Sequence, residues 1–329
     1  MYKHKYEKYK NKYLDLTTPI NIHNIYMTYD DDERIVFYNI FTDMLKYNSN
    51  NNITVIHFRF NKTDIVDNIE YIDNPLDAEI ITIKGNKLMI KQTKIKSLQN
   101  IIDIYKENTT YDRNVFVYSG HSDGLYLIHK KIFLLSLKNF TEIIKKSIGK
   151  KADLIIGDAC LLGNISSLNT CKDAAKYMIS SPGYYGYTSM LSMKSLYKFP
   201  GHGKHKLIRY GEKLIDEYID NIKVSANIIL YKLHNQDLLD IINVMKQYKD
   251  KLRHYVCAIN KQDYYYIDVE CGLIDIGYQD FVSFQNKLDN IVKYHRYKRI
   301  NESKISRLLI ILKKPNKYKR ESCDVFYCR

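Results

Sequence analysis

The chain has no tryptophan, no Cys-x-x-Cys pair and no uninterrupted apolar stretch near the roughly 18 residues of a membrane-spanning helix. Each absence narrows what the protein is. No membrane span is expected. The opening MYKHKYEKYK lacks an apolar core, so it is not a secretory signal. The six cysteines (Cys160, Cys171, Cys257, Cys271, Cys323 and Cys328) are too sparse in 329 residues for a disulfide framework and read as reduced thiols. That reading implies a cytoplasmic setting. Zinc-finger spacing, an aromatic RNA-binding motif, internal repeats and a clean interdomain linker are also missing.

Lysine, asparagine, isoleucine and tyrosine are abundant. Apolar residues make up 45% of the chain, which fits a globular fold, and the length suffices for one large domain or two. The formal net charge is +14. A surplus of this size fits an acidic partner such as nucleic acid. The other reading is compositional bias: the lysines are scattered, and scattered charge is a solvated surface. We take the second reading, which argues against nucleic acid as the partner.

Residues 1–19 form a first segment, in which Tyr2, Tyr6, Tyr9 and Tyr13 share one helical face. From Ile22 the pattern is α/β. Asn24–Tyr29 predicts a strand, and Asp30, Asp31 and Asp32 suit the start of a helix. Ile53–Phe60 predicts a second strand, and Glu79–Lys84 with Lys87–Ile90 a hairpin. Leu125–Ile128 and Ile132–Leu135 predict a smaller one. Ser136 is placed to cap a helix that Gly149 ends. Tyr177–Ser181 and Ser225–Leu233 read as strands, with long amphipathic helices around Leu207–Ile219 and Leu238–Leu252. Ile305–Leu312 reads as a last strand before a basic tail. Residues 20–255 are expected to form one catalytic-type domain, and 256–329 an extension packed on it.

Two apolar runs break abruptly into small and polar residues. NVFVYSGHSDG delivers His121, and ADLIIGDACLLGN delivers Cys160. Both runs suit strands buried on both faces of a parallel sheet. Chemistry gathers at the carboxyl ends of such strands, so the two side chains are expected to lie near each other. A thiol with pKa near 8.5 is mostly protonated at neutral pH, and a neighbouring imidazole can take its proton.

Tyr118-Ser119-Gly120-His121 followed by Asp158-Ala159-Cys160-Leu161-Leu162 resembles clan CD cysteine peptidases, and the Asp-Ala-Cys form is most similar to the clostripain-like peptidases. The Asn24–Asp32 strand and turn, YMISSPGYYG and the GEKLIDEYI helix fall in the matching order, so the resemblance covers about residues 20–255. It implies a caspase-like three-layer sandwich with a mostly parallel central sheet. It implies a peptide or protein substrate, with Cys160 as nucleophile and His121 as general base and acid. The amides of Cys160 and Ser122 would form the oxyanion hole. Asp158 would lie in the pocket for the residue before the cut, favouring Arg or Lys, and Ser180, Ser181 and Pro182 would edge the substrate cleft. No cofactor is expected; some relatives use calcium, but no loop here spells out a calcium site. Maturation cleavage in the family points to Lys130-Lys131, Lys145-Lys146 and Lys150-Lys151, which otherwise read as surface lysines.

The sequence departs from the family at Ser122, where glycine is usual. If that position needs a positive φ, serine is strained there and the oxyanion hole is disturbed. A catalytically inactive scaffold of the same fold is then the alternative. Related enzymes specific for basic residues carry a second acidic pocket residue near Tyr187, Thr188 and Ser189, where this chain has none. Asp123 either orients His121 or caps a turn. His202 and His205 are too few for a metal site. Separately, KYEKYKNKYLDL resembles a stretch recurring in proteins of giant DNA viruses; a viral origin would place the protein in host cytoplasm or the virion.

Overall fold

The computed structural model describes residues 19–28, 31–48, 50–60, 76–85, 87–122, 124, 126–129, 132–183, 188–199, 204–223, 226–252, 258–261, 264–298 and 307–313. The tyrosine-striped N-terminal segment with its resemblance to giant-virus proteins, Asp123, Lys130–Lys131, Tyr187, His202 and the basic tail lie outside the described residues.

β1 (Asn21–Thr28) leads into α1 (Asp31–Tyr47) and β2 (Asn52–Arg59). β3 (Leu76–Lys84) and β4 (Lys87–Ile95) form a hairpin, then α2 (Leu98–Glu107) precedes β5 (Asn114–Ser119). A small hairpin of β6 (Tyr126–His129) and β7 (Ile132–Ser136) and then α3 (Leu137–Ile148) separate β5 from β8 (Ala152–Asp158). α4 (Ile165–Cys171), β9 (Ala175–Ser180), α5 (Lys204–Asn221), β10 (Ala226–Lys232) and α6 (Gln236–Leu252) follow. The C-terminal part adds β11 (Ala258–Lys261), β12 (Tyr264–Asp268), α7 (Val269–Asp275), α8 (Phe281–Ile291), β13 (Val292–Lys298) and β14 (Leu309–Lys313).

Nine strands form the central sheet in the order β13-β10-β9-β8-β5-β1-β2-β3-β4. The inner five, from β9 to β2, run parallel. Antiparallel strands extend it at both sides, β3 and β4 beyond β2, β10 and β13 beyond β9. The sheet is therefore parallel at its centre and antiparallel at its margins. Alternation along the inner strands explains the layering. Val115, Val117, Leu154 and Ile156 point into one apolar layer, shared with α1 and α5. Phe116, Tyr118 and Ile155 point into the other, shared with α2, α3, α4, α6 and α8. Successive side chains of a strand face opposite ways, so strands with consecutive apolar residues through their middle fill both layers.

The amino ends of these strands are closed by asparagine. Asn21 Nδ2 donates to Tyr111 O at 2.7 Å and to Asn114 Oδ1 at 2.9 Å. Asn51 Oδ1 accepts from Ile20 N at 3.1 Å, while its Nδ2 donates to Tyr197 O at 3.1 Å. Ser136 accepts from Asn139 N at 3.1 Å as the α3 cap, and Gly149 ends that helix at φ 66°. β4 is longer than the sequence suggests, running to Ile95, and is the edge of the sheet among the described residues, with Leu88, Met89 and Ile90 exposed among lysines. β11, β12 and β14 pair as a separate small sheet.

Candidate active site

β5 and β8 are neighbours, and their register pairs Ser119 with Asp158. His121 and Cys160 each lie two residues beyond that pair. The ladder reaches one step further, because Gly120 N donates to Asp158 O at 3.4 Å. Adjacent strands are about 4.8 Å apart, so the two chains leave the sheet side by side, at the same end and the same height. His121 is exposed and Cys160 half-buried. A second free cysteine, Cys171, is sealed in the core, and burial pushes its thiol up to about 12. That thiol is inert packing.

Glycines carry the unusual backbone of the histidine loop. Gly120 has φ 147° and Gly124 φ 92°. Tyr118 Oη donates to His121 O at 2.7 Å and fixes the chain between them. Ser122 is not left-handed: among the described residues Leu161 is the non-glycine with positive φ, at 62°. The strain considered for Ser122 is absent, and its Oγ instead accepts from Gly124 N at 2.8 Å. The neighbouring glycines take the torsion that serine would have resisted.

The cysteine turn is pressed flat against the next loop. Leu161 N donates to Gly183 O at 2.8 Å, and Gly163 N to Ser181 O at 2.7 Å. A Cβ on Gly163 would sit 2.5 Å from Pro182 N, and one on Gly157 would sit 2.8 Å from Leu162 Cδ1. Ser180 and Ser181 are fully buried. Ser180 Oγ has no hydrogen-bond partner among the described residues, while Ser181 Oγ accepts from Gly183 N at 3.1 Å.

Asp158 is buried at the head of the layer under α1. Ser119 Oγ donates to its Oδ2 at 3.1 Å, Ser189 Oγ donates to the same oxygen, and Met190 N donates to Oδ1 at 3.2 Å. Ser189 thus stands where the second acidic residue was sought, and it serves Asp158. Asn164 caps α4 by accepting from Ser167 N at 2.9 Å, and reaches both loops with its Nδ2. Ser119, Ser189, Asn164 and Ser167 were missed in the sequence. Only Asn164-x-x-Ser167 carried a signal, as a capping pattern. His205 is exposed, and no group of three or more His, Cys, Asp and Glu side chains able to hold a metal comes together among the described residues.

No known family matches the chain by sequence, and no curated protein does. Solved structures do match its fold. A secreted C11 cysteine protease from Bacteroides thetaiotaomicron, in complex with an irreversible peptide inhibitor, aligns over 92% of this chain and 95% of its own at TM-score 0.62 and 11% identity. The same organism's secreted C11 protease "iotapain" aligns over 89% and 93%, at TM-score 0.63 and 12% identity. An inactive zymogen C11 protease from Parabacteroides distasonis aligns over 90% and 92%, at TM-score 0.60 and 14% identity. The chain has the caspase-like architecture of these proteins: a large central sheet flanked by helices.

Proposed function

We propose that this chain is a clostripain-like cysteine endopeptidase working through Cys160 and His121. The observation that carries the reading is the common offset of the two residues beyond the Ser119–Asp158 pair, at the carboxyl end of a sheet whose architecture C11 proteases share.

In this mechanism His121 takes the Cys160 proton as sulfur attacks the scissile carbonyl carbon. The Cys160 and Ser122 amides receive the developing oxyanion. Collapse breaks the C–N bond, and the amine leaves with the proton from His121. Water, deprotonated by His121, then attacks the thioester, releasing the acid and restoring the thiol. Asp158 would recognise an Arg or Lys before the cut through a charge-assisted hydrogen bond, its carboxylate held in place by Ser119, Ser189 and Met190 N. The bound chain would lie as an extended strand beside residues 181–183. The inactive-scaffold alternative took its main support from Ser122, and the φ there is not positive.

Peptide reporters with Arg, Lys or a neutral residue before the bond test this directly. Wild type should cleave the basic reporters and Cys160→Ala none, with Asp158→Asn losing the basic preference. Absence of cleavage across a broad peptide library, together with no labelling of Cys160 by thiol-directed peptide inhibitors, would sink the proposal.

A further inference from the structure

The geometry points to Asn164 and Ser167 as positioning residues that lock the histidine loop to the cysteine loop. The inference rests on the peptidase reading above, and concerns how the two reactive residues keep their relative position.

They arrive on separate segments. His121 is on the loop after β5, and Cys160 on the turn after β8, with 38 residues between them. The β5–β8 ladder runs to Gly120 N and Asp158 O, and past it Ser122 and Asn164 are isolated bridge residues. The Asn164 side chain adds to that backbone restraint one that spans both loops: its Nδ2 lies 2.8 Å from Gly124 O, three residues after His121, and 2.7 Å from Leu161 O, one residue after Cys160. Ser167 Oγ reinforces the first contact, donating to Gly124 O at 2.7 Å. Both side chains are fully buried, so water does not compete for these bonds. Gly124 O therefore accepts two donors from the N-terminus of α4, and its φ of 92° turns it toward them. α4 itself is anchored in the core through Ile165, Leu168 and Cys171. The helix start is thus a rigid bracket to which both loops are tied. Capping alone would need only the Asn164 oxygen. The amide group is what reaches the two loops, which is why asparagine and not aspartate or serine suits this position.

That distinction sets the experiment. Asn164→Asp keeps an oxygen for the Ser167 N–H, so the cap survives, but removes the Nδ2 contacts to Gly124 O, Leu161 O and Ser167 Oγ and sets a carboxylate against two carbonyl oxygens. Ser167→Ala is milder and removes one donor to Gly124 O. Three readouts are taken on the full chain: kcat and KM on the best peptide reporter, thermal melting, and the pH dependence of Cys160 alkylation by iodoacetamide, followed by peptide mapping so that other thiols do not interfere. Wild type should show enhanced Cys160 alkylation below the ordinary thiol range near pH 8.5, lost in His121→Ala. Asn164→Asp should move the profile toward that of His121→Ala and lower kcat about 100-fold with little change in KM. Ser167→Ala should shift both partway, with melting near wild type. Wild-type kcat and alkylation profiles in a folded Ser167→Ala and Asn164→Asp would overturn the proposal. So would a kcat that falls only in step with melting while the alkylation profile stays wild type. If Asn164→Asp does not fold, Ser167→Ala decides alone. An alkylation profile indifferent to His121→Ala would sink the dyad itself, a result distinguishable from loss of the tie.

Discussion

Gly163 leaves no room for a side chain. A methyl group there would meet Pro182 at its N, 2.5 Å away, and at its Cα, 2.9 Å away. The turn cannot retreat, because Leu161 N and Gly163 N are both bonded to the 181–183 segment. Gly163→Ala must therefore push the two loops apart, and the displaced atoms include the backbone beside Cys160. The expected cost is about 1–3 kcal/mol of stability. Peptidase activity should fall by more than the loss of folded protein explains. Urea unfolding alongside kcat/KM checks both; an alanine variant with wild-type values would mean that the loops are not in contact.

At the scale of elements, α3 shows what sequence carries well. Ser136 at its start and Gly149 at its end are local signals, and the structure uses both. Ser136→Ala should cost about 1 kcal/mol through the lost bond to Asn139 N, lowering the urea midpoint and leaving kcat unchanged. The paired ends of β5 and β8 were legible for a similar reason. Strands buried on both faces are apolar at consecutive positions through their middle, and the glycine and polar residues that stop them stand out. β13 was not legible. Its sequence, VKYHRYK, is half-exposed along almost its whole length, so neither face imposes an apolar pattern; pairing with β10 and long-range bonds such as those of Tyr294 and Arg296 to Asp216 specify it. The surroundings of Asp158 were hidden for another reason. Ser119 and Ser189 come from opposite sides of it in sequence, each an ordinary serine until the sheet and the loop after β9 bring them to one carboxylate. The role of Asn164 was masked by its own capping pattern, which accounts for its oxygen and not for its nitrogen.

For the molecule as a whole, burial of titratable groups sets the pH range of stability. Burial lowers the His23 pKa from 6.5 to about 3, and also lowers that of His57. Glu79 is held down to about 2, chiefly by its hydrogen bond from His57, with Gln92 and Arg59 adding to it. All three groups bind protons more readily when the chain is unfolded. Their contribution is complete above pH 6.5 for the histidines and above pH 4.5 for Glu79. It is lost as pH falls toward the folded values. The urea midpoint should therefore decline from about pH 6.5 downward, and more steeply once Glu79 joins below pH 4.5. His23→Phe, placing an apolar ring between Tyr105 and Phe116, should flatten the upper part of that decline. A midpoint constant from pH 7 to pH 5 would contradict the assignment.

The margin of the sheet at β4 bears on how copies of this protein would meet one another. Leu88, Met89 and Ile90 are exposed on β4, which pairs with β3 on one side and has no strand partner on the other among the described residues. Lys87, Lys91 and Lys94 lie along the same strand, and two such edges repel before their backbones can join. That protection is electrostatic and shrinks with the Debye length, about 10 Å in 0.1 M salt and about 3 Å in 1 M. The expected consequence is a dependence of association on ionic strength: concentrated salt or lysine acetylation should bring two such edges within range of pairing, which light scattering across a salt series would read.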